Sequence, residues 1–124
     1  KKYRFVKKKI SLTVLLSNNK NIQKLNKEFR NKNKSTDVLS FPSEKKINIK
    51  KSPYIGDIIV SYEFMNKPKT LSVLEFKSKV SKIFIHGFLH LLGYDHINLK
   101  DFKKMLVQEE KIYKAIEKKI VKLI

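Results

Sequence analysis

Three histidines stand at positions 86, 90 and 96, and the chain has no others. On a helix, residues four apart project from one face a turn apart, so His86 and His90 can offer imidazole nitrogens to a shared metal ion. Gly93 suits a left-handed helix stop, and Tyr94 and Asp95 after it would reverse the chain and carry His96 back beside the pair. Three neutral imidazoles with a fourth position open suit one divalent ion, zinc above others, which lowers the pKa of a bound water or polarises a phosphoryl oxygen. Two plainer readings stay open: histidines that only line a helix end, or a structural metal closed by a carboxylate such as Asp95 or Asp57. In zinc proteases of the HExxH type a glutamate general base follows the first histidine; here that position is Gly87, which disfavours proteolysis.

The elements that must position these residues follow from hydropathy patterning. Alternation over 10–16 predicts a first strand buried mainly on one face. Ser17 and Asn18 can cap a helix over 19–30, where Ile22, Leu25 and Phe29 fall at helical spacing. A polar loop over 30–35 leads to a strand over 36–41, stopped by Pro42. A charged connection over 43–53 follows. The β-branched run in 54–61 predicts the clearest strand, with Gly56 marking a bulge or a close approach. After a break around Pro68, apolar residues from Leu71 to Leu91 keep a helical period up to Gly93, a long central helix carrying the first two histidines. Asn98 with Asp101 resembles a second long helix start, whose apolar face (Phe102, Met105, Leu106, Ile112, Tyr113, Ile116, Ile120, Leu123) is expected in the core. Strands and helices mix without strict alternation, so the fold class is α+β, in two or three layers.

The 124 residues, 41% hydrophobic, fit one domain over 1–124 with one core. With no cysteine in the chain, disulfides, thiolate metal sites and cysteine nucleophiles are excluded. No membrane span or secretory leader is apparent, and a soluble cytoplasmic protein is expected. The formal charge of +18 attracts polyanions through phosphate contacts and counterion release. An A/T-rich coding bias would also spell most cations as lysine; Arg4 and Arg30 are the two arginines among 29 basic residues.

The segment His86-Gly87-Phe88-Leu89-His90-Leu91-Leu92-Gly93-Tyr94-Asp95-His96 resembles throughout the signature H-G-x-L-H-L-x-G-Y-D-H of the YbeY family of metal-dependent endoribonucleases. Leu25-Asn26-Lys27-Glu28-Phe29-Arg30 and Thr36-Asp37-Val38-Leu39-Ser40-Phe41-Pro42 resemble that family's second block, and Gly56-Asp57-Ile58 a third. The blocks run in family order from Leu12 to about Ile116. The resemblance implies an α+β fold with a mixed, mostly parallel four-stranded sheet packed with helices, and a zinc-type ion on His86, His90 and His96. It further implies cleavage of single-stranded RNA in ribosomal RNA maturation, at the 3′ end of the small-subunit RNA, and in ribosome quality control. The family arginine falls on Arg30. Asn33 stands where an aspartate is common, and the family's N-terminal helix is largely missing or reduced to Lys1 to Lys9.

Arg30 also fits catalysis chemically: a guanidinium grips two phosphate oxygens at once and keeps its proton, against the alternative of a solvated surface charge. Asp37, Ser40, Asp57 and Asp95 are candidates to line the cleft or orient a histidine or water, with capping of turns an equal alternative. Phe41 and Tyr94 are candidate stacking surfaces for unpaired bases, or core residues. The expected partners are single-stranded RNA, ribosomal RNA or the small ribosomal subunit, with no membrane and no small-molecule cofactor. A different class is a ribosome-binding assembly factor with a structural metal and no turnover.

Overall fold

The computed structural model describes residues 10–44 and 52–122, with side chains through Lys119. The basic stretch 1–9 with Arg4, most of the charged connection, and the side chains of Ile120 and Leu123 lie outside the described residues. Seven elements follow in order: β1 (Ser11–Ser17), α1 (Asn19–Arg30), β2 (Val38–Pro42), β3 (Tyr54–Ser61), α2 (Tyr62–Met65), α3 (Val73–Leu91) and α4 (Leu99–Lys122). The fold is α+β. Among the described residues the sheet has three strands in the order β1-β3-β2, with β1 parallel and β2 antiparallel to β3. The expected four-stranded, mostly parallel sheet is not found there; the tie of β2 to β3 is antiparallel.

β3 is central because its apolar run serves both faces. Ile58 and Val60 pack with Val38 and with Ile83 and Leu91 of α3, whereas Ile59 packs with Leu39 and with Ile22 of α1. Each such side chain fully withdrawn from water stabilises the fold by about 1.5–3 kcal/mol. Gly56 fulfils both readings of its position. The register slips by one residue between the Ser11/Tyr54 and Thr13/Asp57 pairs, and Gly56 takes φ +137. A Cβ there would stand 2.3 Å from the carbonyl oxygen of Phe41.

β1 departs from expectation. Leu12 packs against the core, but Val14, Leu15 and Leu16 are 45%, 53% and 62% exposed. Alternation tells which residues share a face, not whether another element covers it, and β1 is an edge strand. β2 likewise starts two residues later than expected and includes Pro42, tolerated as the last residue of an edge strand.

Local chemistry sets the helix ends. Asn18 caps α1 by accepting from the Asn21 amide at 2.8 Å, and Asn31 closes it in the left-handed region at φ 55. α3 begins at Val73, not Leu71, because Ser72 and Glu75 form a reciprocal capping box. α4 starts at the expected cap: Asn98 Oδ1 accepts from the Asp101 amide at 2.9 Å. α4 rests on α3 through Met105, Ile112, Tyr113 and Ile116, which meet Ile85 and Leu89. Its other apolar residues Leu99, Phe102, Leu106 and Val107 are exposed, so its apolar face is only partly in the core. No helix among the described residues is long and apolar enough to cross a membrane.

Candidate metal centre

His86 and His90 sit one turn apart near the C-terminal end of α3, which is stopped by two reversed hydrogen bonds. The amide of Gly93, at φ +98, donates to His90 O at 3.0 Å, and that of Tyr94 to Leu89 O at 3.0 Å. This is a Schellman stop, whose left-handed position glycine takes without strain. The reversal brings His96 back, as its position after Gly93 implied. Its ring centroid is 5.6 Å from that of His86 and 5.1 Å from that of His90. One ligand atom from each of the three lies within 4.8 Å of the others, so the group could hold a metal ion.

Hydrogen bonding turns the rings toward that common point. His90 Nδ1 bonds the carbonyl oxygen of Tyr94 at 2.9 Å, and His86 Nδ1 bonds Glu109 Oε1 at 2.6 Å. A carbonyl and a carboxylate only accept, so both Nδ1 atoms carry hydrogens and, in neutral rings, both Nε2 atoms present lone pairs. These two Nε2 atoms are 3.1 Å apart. Only a cation between them satisfies both, a proton on one ring or a metal ion. Nitrogens bound tetrahedrally at about 2.0–2.1 Å stand roughly 3.3 Å apart, so the pair would need little movement to share an ion. Burial, reinforced by the neighbouring His86 and His96, lowers the pKa of His90 to about 4. That keeps a lone pair on His90 at neutral pH.

The residue after His86 explains the missing glutamate. A Cβ on Gly87 would stand 3.0 Å from Ile58 Cγ2 and from Val38 Cγ2, and 3.3 Å from Ser40 Oγ. Position 87 therefore faces the sheet, and a general base there would point into the core.

Ser40 joins this helix to Arg30. Its buried hydroxyl donates to the carbonyl oxygen of Gly87 at 2.8 Å, and its own carbonyl accepts from Arg30 Nη2 at 3.0 Å. Arg30, exposed at the end of α1, is thus tethered by one nitrogen to the strand that touches the histidine helix. The other candidates are placed differently. Asp37 accepts from the Thr36 hydroxyl at 3.2 Å, and its backbone oxygen accepts from the Ser61 amide at 2.9 Å. Asp57 bonds the Tyr54 hydroxyl and shares strand parity with Ile59, on the α1 face of the sheet, away from α3. Asp95 accepts from the His96 amide at 2.7 Å, which shapes the returning turn. Phe41 and Tyr94 pack against core clusters; the exposed ring of Phe29 stands edge-on to Phe41 at 5.5 Å, and the exposed ring of Phe102 lies beside His86 and His96. Asn33, the departure from the family pattern, accepts from Gln23 Nε2 at 3.1 Å on the surface.

Sequence reading missed Glu109. It stands 23 positions from His86, and nothing local in its charged surroundings singles it out. It also lines, with His86, His96, Phe102, Met105 and Leu106, a cavity of about 80 Å³ beside the histidines.

The class is thereby defined: an α+β protein with a three-histidine site, able to bind a metal, at the end of its long helix. A model of the family "Endoribonuclease YbeY" matches residues 1–117. The chain is 74% identical over 120 residues to the protein named Endoribonuclease YbeY of Pelagibacter ubique, covering 97% of this chain and 78% of that one. A protein of the same name from a Sulfurihydrogenibium species is 38% identical over 105 residues, covering 84% of this chain and 68% of that one. A Thermotoga maritima protein solved in solution is 27% identical, covers 89% of this chain and 73% of that one, and superposes with a TM-score of 0.46. The chain belongs to the YbeY endoribonuclease family.

Proposed function

We propose that this protein is a metal-dependent endoribonuclease that cuts single-stranded RNA at a centre held by His86, His90 and His96. Membership in a family whose relatives are named endoribonucleases supports RNA as substrate. The observation that carries the metal is the pair of Nε2 atoms facing each other at 3.1 Å with their Nδ1 atoms bound to pure acceptors. A divalent ion there, zinc by the ligand chemistry, would polarise a phosphoryl oxygen or generate a nucleophilic water.

The chain's own groups divide the remaining work. His90, neutral above about pH 4, presents its lone pair without first losing a proton. Arg30, anchored through Ser40, offers its remaining N–H groups to the charge that builds on the phosphoryl oxygens. Lysine-rich surface supplies sequence-independent grip on the RNA backbone that weakens as salt rises. The biological reading is maturation of ribosomal RNA, at the 3′ end of the small-subunit RNA, and ribosome quality control in the cytoplasm.

One observation favours a structural metal instead: the His86 contact to Glu109 ties α3 to α4, and an ion there would strengthen a helix junction. Incubation of single-stranded RNA with unaltered protein, with Arg30→Ala and with His86→Ala separates the two. The nuclease reading expects cleavage that a chelator stops, and an Arg30→Ala protein that is folded, metal-loaded and slow. A metal-loaded native protein that never cuts, alongside a His86→Ala protein that unfolds, supports the assembly-factor reading.

A further inference from the structure

Glu109 has no part in the chemistry proposed above, yet it is bonded to a histidine of the centre. The two ligands on α3 obtain their Nδ1 partners differently. His90 uses the backbone carbonyl of Tyr94, supplied by the helix stop itself. His86 takes its Nδ1 partner from a side chain on another helix.

We propose that Glu109 is a positioning residue of the metal centre: by accepting the Nδ1 hydrogen of His86, it fixes the tautomer and ring rotation that aim Nε2 at the ion. The proposal rests on reading the three histidines as metal ligands. A carboxylate is suited to this task because it cannot donate, and so cannot stabilise the opposite tautomer.

Packing holds Glu109 where it is needed. Met105 one turn before it, and Ile112, Tyr113 and Ile116 after it, seat α4 against Ile85 and Leu89. These positions recur at helical spacing with Glu109 on the same stripe. The next residue is the contrast. Glu110 pairs with Lys114 at 3.9 Å with both side chains more than 70% exposed, an ordinary solvated pair of little energetic weight. Glu109 is 25% exposed and His86 32%. Phe102, Met105 and Leu106 line the small cavity beside them.

The test needs no turnover. Long-range proton–nitrogen correlation spectra of the metal-free protein at pH 8, with His86 identified by its loss in His86→Gln, report which ring nitrogen carries the hydrogen. The expected result is hydrogen on Nδ1 of His86 in the unaltered protein, and a shift toward Nε2 in Glu109→Ala. Titration with zinc alone is then expected to show affinity lowered about 10–100-fold in Glu109→Ala, with a smaller loss in Glu109→Gln, whose amide oxygen still accepts. Hydrogen on Nε2 of His86 in the unaltered protein overturns the proposal, and that measurement stands even if Glu109→Ala does not fold. Zinc affinity in both variants equal to that of the unaltered protein also overturns it. An unaltered protein with the expected tautomer that binds no zinc overturns the reading of the histidines as ligands, and the positioning role with it.

Discussion

Ser40 Oγ donates to the carbonyl oxygen of Gly87 at 2.8 Å, so the strand that anchors Arg30 is bonded to the helix residue between His86 and His90. Any shift of β2 against α3 is therefore felt at both the guanidinium and the imidazoles. Ser40→Ala removes this bond and should lower unfolding free energy by about 0.5–1.5 kcal/mol, measured by urea titration. The Gly87 carbonyl lies in a helix and has its helical partner as well, which keeps the loss at this modest level.

Gly87→Ala sets two effects against each other. Alanine favours a helix interior by about 1 kcal/mol over glycine. The new Cβ would press at 3.0 Å on Ile58 Cγ2 and Val38 Cγ2, methyls of buried β-branched side chains with little freedom to turn, and overpacking costs about 1–3 kcal/mol. Net destabilisation of about 0–2 kcal/mol is expected in thermal or urea unfolding, together with weaker zinc binding. A variant more stable than the parent would show that α3 yields freely from the sheet.

Much of this site was readable before the structure, and the boundary is physical. The histidine spacing, the glycine stop and the Asn98 cap are local devices, encoded within a turn or two, and each appears where the residues place it. Glu109 is not local: only the docking of α4 brings it to His86, and in sequence it is one acid of a Gln-Glu-Glu-Lys run. Asp57 is the opposite case. It sits in a recognisable motif, but the bulge at Gly56 sets its parity and turns it to the α1 face. For β1 the periodicity was visible, while the exposure of Leu15 and Leu16 depends on what lies over an edge strand.

His90 makes acid stability predictable in sign. Its pKa falls from 6.5 to about 4 in the folded, metal-free protein, mainly through burial and then through His86 and His96. Between these values the unfolded chain takes up a proton that the folded chain refuses, so stability present above pH 6.5 is lost as pH falls toward 4. Unfolding free energies at pH 7, 6 and 5 should decline in the metal-free protein, and less steeply in His90→Gln. Equal slopes in the two proteins would remove His90 as the source.

Arg30→Ala should separate catalysis from folding. Arg30→Ala should reduce RNA cleavage by about 10²–10³-fold, the usual effect of losing one donor to developing charge, while zinc content and thermal midpoint stay near those of the parent. Arg30→Lys should restore only part of the rate, because a point charge cannot make the forked contact. Full activity in Arg30→Ala would assign the residue to the surface.

The central claim is that an ion on His86, His90 and His96 performs chemistry on RNA. Its most direct test is cleavage of single-stranded RNA by chelator-stripped protein as zinc is returned in measured steps. The account predicts no cleavage by the stripped protein and activity that rises to a plateau at one bound ion per chain. Undiminished cleavage by stripped protein, or one bound ion with no cleavage at all, would contradict it.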